Sequence, residues 1–213
     1  MQGGILIIDY GSQYTQLIAR NIREMNVYCE IRPYNKINHK ILNFLKPKGY
    51  ILSGSPKSVL NKNSPKIPKS ILISKKPILG ICYGLQLLNL SLGGKINKSV
   101  NREYGHAKLN ILISSKILPK KWKNKKPNVW MSHGDNVSVV PKNYKIIARS
   151  NNNIISIIEN KKDKIYGLQF HPEVFHTYGG KDLLKNFVYY ICNIKSNWIL
   201  EDFVKRKIQE IDP

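Results

Sequence analysis

Residues 5–8 form an unbroken apolar run, Ile-Leu-Ile-Ile, that stops at Asp9. Such a run is the pattern of a strand buried on both faces of a parallel sheet. Ser12 then offers an N-cap for a helix reaching to about residue 25, with Leu17, Ile18 and Ile22 on its inner face. The pattern continues with a strand over 27–31, a short helix over about 39–45, a strand over 49–52, a helical stretch within 65–75 and a strand over 77–81. A helix over about 85–92 follows. Short apolar strands alternating with helices predict an open, mainly parallel α/β sheet flanked by helices on both faces.

The second half changes character. Segments 108–113, 129–131, 137–140, 145–148, 154–159 and 165–170 read as successive strands, separated by turn-rich stretches such as Asn151-Asn152-Asn153. A helix over 181–194 closes the domain, and an amphipathic stretch over 199–211 follows Trp198. A length of 213 residues fits one domain with a short extension. The division expected is a domain over 1–195 and a linking helix over 196–213. There is no internal repeat.

Ligands of open α/β sheets bind beyond the carboxyl ends of the strands. Asp9-Tyr10-Gly11, Ser53-Gly54-Ser55, Cys82 and His171 all fall at predicted strand ends, so four separate loops converge on one crevice. Gly80-Ile81-Cys82-Tyr83-Gly84 has the shape of a nucleophile elbow, with Cys in the place of Ser. The helix that follows points its positive end at the sulfur, which favours thiolate over thiol. Alone, this pentapeptide also suits a buried cysteine at a strand end. His171-Pro172-Glu173 shifts the balance. A cysteine nucleophile needs an imidazole to take its proton, and the imidazole needs a carboxylate to fix its tautomer. On an extended backbone, residues two apart project to the same side, and Pro172 bars helix formation between them. Cys82, His171 and Glu173 are therefore the candidate catalytic triad.

Composition narrows the class. The three cysteines, Cys29, Cys82 and Cys192, form no CxxC pair and no Cys/His cluster, which argues against a zinc site or a disulfide scaffold. No metal is expected. No stretch approaches the ~20 apolar residues that span a bilayer, and the start runs into a strand without a basic, apolar leader. A cytoplasmic protein with no membrane partner is expected. The formal charge of +22 suggests polyanion binding at first sight. But only six of the basic residues are arginines, and the excess of Lys travels with many Ile and Asn, residues that share A/T-rich codons. The lysines are dispersed, and the dense run over 116–126 has no stacking aromatic besides Trp122. Base-composition drift accounts for the charge better than a nucleic-acid partner does.

With these motifs in place, the chain resembles the class I glutamine amidotransferases, and within them the amidotransferase domains of the GMP synthetase family. The elbow and the His-x-Glu fit the whole class. The run over 9–20, Trp130-Met131-Ser132-His133-Gly134-Asp135, and Gln169 to Val174 with His176-Thr177 behind it fit the narrower group. The resemblance covers about residues 5–194. It implies a flavodoxin-like sheet with extra strands in the second half. It also implies that Cys82 attacks the side-chain amide of L-glutamine, that His171 passes a proton to the leaving ammonia, that Glu173 orients His171, and that a glutamyl thioester is then hydrolysed. The backbone N–H of Tyr83 and one from Gly54-Ser55 would hold the oxyanion. Gln86, Ser132, Gly134 and Asp135 would line the glutamine pocket.

One position departs from the family pattern. The oxyanion loop of the family reads Ser-Gly-Gly-Pro, and here it is Ser53-Gly54-Ser55-Pro56. A positive φ at Ser55 would cost of order 1 kcal/mol or more. The resemblance further implies a partner: an ATP-pyrophosphatase (synthetase) domain or subunit that converts xanthosine monophosphate to GMP. ATP and Mg²⁺ belong to that partner, since the sequence ends at Pro213 before any phosphate-binding loop, and no cofactor is expected in this chain. Trp198, Leu200, Phe203 and Val204 are candidates for the contact, or for packing on their own domain. Two other readings stand beside this one: an amidotransferase for an anthranilate- or aminodeoxychorismate-type acceptor, against which the Ser132–Asp135 run argues, and a catalytically weakened docking module.

Overall fold

A computed structural model describes residues 3–198, without the side chains of residues 99–102. The chain order is β1 (Ile5–Asp9), α1 (Thr15–Arg23), β2 (Cys29–Pro33), α2 (His39–Leu45), β3 (Gly49–Leu52), α3 (Lys69–Ile73), β4 (Ile78–Ile81) and α4 (Tyr83–Ser91). Then come β5 (Lys95–Ile111), β6 (Asn128–Val139), β7 (Lys145–Ser150), β8 (Ile155–Asn160), β9 (Ile165–Leu168) and α5 (Gly180–Lys185), which continues as a π-helical segment, Asn186–Ile191. The strands form one sheet in the order β2-β1-β3-β4-β9-β8-β7-β5-β6. The five strands from β2 to β9 run parallel, and β8, β7, β5 and β6 extend the sheet antiparallel.

Period-2 alternation in the central strands sends side chains to two cores. Ile5, Ile7, Ile51, Leu79, Ile81 and Leu168 meet Ile18 and Ile22 of α1 and Leu183 and Phe187 on one face. Leu6, Ile8, Leu52, Ile78 and Ile158 meet Ile71 of α3 and Leu85 and Leu88 of α4 on the other. Burial on both faces explains why β1, β3, β4 and β9 are nearly all apolar, and it is the flanked α/β sheet that the sequence predicts.

Several boundaries differ from expectation. α1 starts at Thr15 with Tyr14 as its N-cap, not Ser12. The Ser12 hydroxyl instead accepts from the Tyr14 N–H at 3.1 Å, and Asp9 Oδ1 accepts from Gly11 N and Thr15 Oγ1. These local bonds compete with the helix and delay its start. β2 is displaced by two residues towards the chain end. β5 runs over 17 residues where only 108–113 was read as strand. β6 is one continuous strand, not two, and carries Ser132, His133, Gly134 and Asp135 within it. β9 ends at Leu168, so Gln169, Phe170 and His171 follow the strand and do not extend it. Trp198 is buried against Tyr28, with ring centroids 6.3 Å apart, and its backbone N–H donates to Asn26 O at 2.9 Å. It packs on its own domain. Leu200, Phe203, Val204 and the predicted helix over 199–211 lie outside the described residues.

Candidate active site

β4 ends at Ile81, and Cys82 stands at the N-cap of α4 with φ 52° and ψ −105°. Such a conformation is costly for a residue with a Cβ, and it persists because the surroundings fix it. The Cys82 N–H donates to Leu168 O of neighbouring β9 at 2.7 Å, and the Gln86 N–H donates to Cys82 O at 3.1 Å. The flanking glycines allow the turn. A Cβ on Gly84 would lie 2.4 Å from Leu52 O, and one on Gly80 would lie 2.5 Å from the Gly84 backbone. No side chain fits between strand and helix there.

β9 pairs with β4 in register, Ile81 opposite Leu168, which brings the chain after β9 beside the elbow. His171 and Glu173 lie in a turn, not on the extended backbone that the sequence suggests, yet their side chains meet: His171 Nδ1 is 2.8 Å from Glu173 Oε1. Contacts from other elements hold this turn. The His171 N–H donates to Trp130 O at 3.0 Å, the Thr177 hydroxyl donates to His171 O at 2.6 Å, and the Trp130 N–H donates to that same hydroxyl at 3.0 Å. Asn21 of α1 donates to Glu173 O at 3.0 Å. The Tyr14 ring meets the imidazole edge-on at 5.0 Å. Burial alone would pull the imidazole pKa down, but the Glu173 charge and hydrogen bonds to Cys82 and Glu173 outweigh it and hold the pKa well above the ordinary value. A charged imidazolium is therefore favoured between a sulfur and a carboxylate.

A cavity of about 630 Å³ opens beside Cys82. Its lining includes Ser55, Cys82, Tyr83, Gln86, Ser132, Gly134 and Asp135, so seven of the predicted site residues share one wall. Gly54 lies at the triad itself: a Cβ there would stand 3.1 Å from His171 Cε1. The Tyr83 amide is the first of α4, a position with no intrahelical acceptor. The phenol of Tyr83 is tied to Pro65 O at 2.7 Å. Gln86 and Asp135 are braces as well as lining. Gln86 Nε2 donates to Asp135 O at 2.7 Å, and the Asp135 carboxylate accepts from Ser58 Oγ, pinning the loop after Ser55 to β6. Ser132 presents its carbonyl to Cys82 Sγ at 3.5 Å.

Ser55 keeps a negative φ. The strain anticipated from the missing glycine is absent, and Ser55 lines the cavity at ordinary backbone cost. Ser55→Gly is accordingly expected to leave glutamine turnover within about threefold of the parent, since an oxyanion donor that had been misplaced would be worth roughly 10²–10³ in rate. A gain above tenfold in a glutamate-release assay would show that the serine loop is misaligned after all.

The buried pair His133–Glu103 was not foreseen. His133 Nε2 is 3.2 Å from Glu103 Oε2, and Glu103 also accepts from Ser150 Oγ at 2.9 Å and Asn152 Nδ2 at 2.8 Å. Burial works against the charged carboxylate of Glu103, but bonds to His133, Asn152 and Ser150 prevail and lower its pKa. Glu103 lies in β5, in a stretch to which the sequence pattern assigns no element, so nothing local marked it. Thr177, Asn21 and Gln169 were also missed as support for the triad. Among the described residues no group of three or more His, Cys, Asp or Glu side chains converges as a metal site, and no helix is long and apolar enough to cross a membrane.

A cysteine elbow facing a His–Glu pair, at the carboxyl end of a parallel sheet, defines a class of cysteine-dependent acyl-transfer sites on a flavodoxin-like frame. The chain belongs to the class I glutamine amidotransferase family, whose profile, described as "Glutamine amidotransferase class-I", matches residues 6–191. It is 51% identical over 210 residues to a glutamine-hydrolyzing GMP synthase of Petrotoga mobilis, covering 97% of this chain and 40% of that protein. Its identity to the protein of the same name from Phocaeicola vulgatus is 46% over 211 residues, covering 99% and 40%. The chain thus spans about 40% of the length of these curated relatives. Among solved structures, a putative GMP synthase subunit from Thermoplasma acidophilum superposes with a TM-score of 0.74 at 29% identity, covering 99% of this chain and 98% of that one. A glutamine amidotransferase from Thermotoga maritima, at 19% identity and a TM-score of 0.63, covering 98% and 86%, shares the fold.

Proposed function

We propose that this chain is the glutaminase part of a GMP-forming synthetase, hydrolysing L-glutamine and supplying ammonia to aminate xanthosine monophosphate. The juxtaposition of Cys82 with the buried His171–Glu173 pair carries the reading, and the kinship to glutamine-hydrolyzing GMP synthases supports the choice of acceptor. In the first step the Cys82 thiolate attacks the side-chain carbonyl carbon of glutamine. The Tyr83 N–H and an N–H of the Gly54-Ser55 loop receive the oxyanion. The His171 imidazolium gives its proton to the departing nitrogen, the C–N bond breaks, and ammonia leaves a glutamyl thioester. His171, now neutral, takes a proton from water, the hydroxide adds to the thioester, and glutamate departs as the sulfur is regenerated.

The partner is an ATP-pyrophosphatase region that holds ATP, Mg²⁺ and xanthosine monophosphate. The relatives that extend well beyond the matched region, and the structural neighbour of this chain's own size, fit a partner that is fused or separate. The chemistry needs Cys82 as a free thiol, in keeping with a reducing, cytoplasmic setting, and Cys82, Cys29 and Cys192 are all unpaired.

Alone, the chain should release glutamate slowly. Adding a synthetase region with ATP, Mg²⁺ and xanthosine monophosphate should raise that rate at least tenfold, because a loaded partner favours the arrangement that seats triad and oxyanion loop together. The measurement is glutamine-dependent GMP formation, with ammonia-dependent synthesis by the partner as control. Support of a chorismate-using partner in place of this one would refute the acceptor and leave the glutaminase.

A further inference from the structure

Among the described residues, two groups besides His171 face the Cys82 sulfur, and they are of opposite kind. The Ser132 carbonyl, at 3.5 Å, can only accept, so it suits the protonated thiol. The Gln169 side chain, at 3.8 Å, presents Nε2 and suits the ionised sulfur. We propose that Gln169 is a further catalytic residue, whose amide N–H holds the ionised Cys82 sulfur for attack, and that Gln86 is the positioning residue that fixes the direction of this amide. The inference rests on the glutaminase reading above.

The direction of the amide follows from a backbone atom. Asp135 O is an acceptor only, so the Gln86 terminal atom 2.7 Å from it is nitrogen. The second N–H of that nitrogen meets the Gln169 side chain at 3.3 Å, and the atom it meets must be oxygen. The remaining terminal atom of Gln169, the one facing sulfur, is therefore its NH₂. Reversing Gln169 would set two donors against each other at the Gln86 contact. Asp135 O also accepts from His133 Nδ1 at 3.0 Å, which must donate to a carbonyl, and His133 is backed by Glu103. Gln169 is wholly buried, and its backbone N–H donates to Ser156 O of β8 at 2.9 Å, so it approaches the sulfur as an ordered dipole. When His171 takes the sulfur's proton, the bond to Ser132 O is lost and the bond from Gln169 strengthens. No atom is transferred to or from Gln169.

The test compares the wild type with Gln169→Leu, Gln169→Glu, Gln86→Leu and the Gln86→Leu/Gln169→Leu double variant. The readouts are kcat and KM for glutamate release, the rate of Cys82 alkylation by iodoacetamide at neutral pH with Cys82→Ala as blank, and a thermal melt. Gln169→Leu should alkylate roughly tenfold to a hundredfold more slowly, the range for loss of a hydrogen bond to a charged group. Its kcat should fall in parallel, with KM within about threefold. Gln169→Glu, which turns an acceptor to the sulfur, should be at least as slow. In alkylation, which does not involve glutamine binding, the double variant should be no slower than Gln169→Leu alone. An alkylation rate for a folded Gln169→Leu within twofold of wild type would overturn the proposal, and additive losses in the double variant would overturn the role of Gln86. Should Gln169→Leu fail to fold, Gln169→Met, of similar length, carries the same comparison. Absence of glutamate release from the wild type, alone and with a synthetase region, would sink the functional reading, while the alkylation arm would still decide the contact of Gln169 with the sulfur.

Discussion

Cys82→Ala is expected to abolish glutamate release, by more than ~10⁴-fold, while the protein stays folded. Of the three cysteines, all buried, only Cys82 adjoins the cavity and the His–Glu pair, so no other thiol can form the acyl intermediate. The change removes one atom and leaves the backbone bonds of the elbow, Cys82 N to Leu168 O and Gln86 N to Cys82 O, in place. Stability should therefore change by no more than about 1–2 kcal/mol. The same position permits a second measurement. With φ at 52°, alanine carries the strain of the elbow as cysteine does, and glycine does not. Cys82→Gly should melt above Cys82→Ala by about 1 kcal/mol, or roughly 2–4 °C for a chain of this size. Activity near wild type in either variant would remove Cys82 from its role. Equal melting points would show that the elbow is unstrained.

His171→Ala should cost nearly as much activity as loss of the nucleophile, whereas Glu173→Gln should cost roughly 10–100-fold less, since the orienting member of a triad is the most dispensable. The two variants also separate charge from geometry. The folded-state pKa of His171 stands above the usual value near 6.5, so the folded protein binds this proton more tightly than the unfolded chain. The resulting stability is fully present below about pH 6.5 and is lost as pH rises through the raised value. Glu173→Gln keeps the shape and removes the charge. It should move the imidazole titration to lower pH and bring the alkaline loss of stability forward with it. Proton NMR of the His171 ring and melting point against pH read both effects. A titration indifferent to Glu173→Gln would mean that the carboxylate does not set the charge of the imidazole.

The parallel half of the fold was legible because its strands are buried on both faces. Ile5–Asp9, Gly49–Leu52 and Ile78–Ile81 have almost no polar residue to obscure them, and glycine bounds the turn at Cys82. The antiparallel half was harder for a reason visible in β6. Its burial alternates strictly from Val129 through Met131, His133 and Asp135 to Val137, but two of the inward positions are polar. His133 meets the Glu103 carboxylate and the Asp135 carboxylate accepts from Ser58 Oγ, so their burial is offset by partners outside β6. Period-2 reading by hydrophobicity breaks at such a strand. β5 failed in the complementary way: the stretch rich in Lys and Asn from Lys95 onward is strand because it pairs with β6, not because of its own pattern. The departure at Ser55 was visible, but its consequence was not, because the sign of φ at that residue belongs to the conformation of the whole loop and is not written in the residue type.

The sequence by itself determined the candidate reactive groups and their local settings. Glycines on either side of Cys82 make the elbow, Pro172 bars a helix between His171 and Glu173, and apolar runs place Cys82 directly after one strand and His171 shortly after another. These are short-range effects of sterics and periodicity, and they act wherever such residues occur. Only the tertiary structure decided that the segments meet. β9 inserts beside β4, so that Leu168 holds the Cys82 amide and His171 follows within reach of the sulfur. Trp130 and Thr177 then clamp His171, Asp135 directs Gln86, and Gln86 directs Gln169. All of these contacts but the Thr177–His171 bond join residues far apart in the chain, and their free energy depends on a strand order that no local pattern encodes.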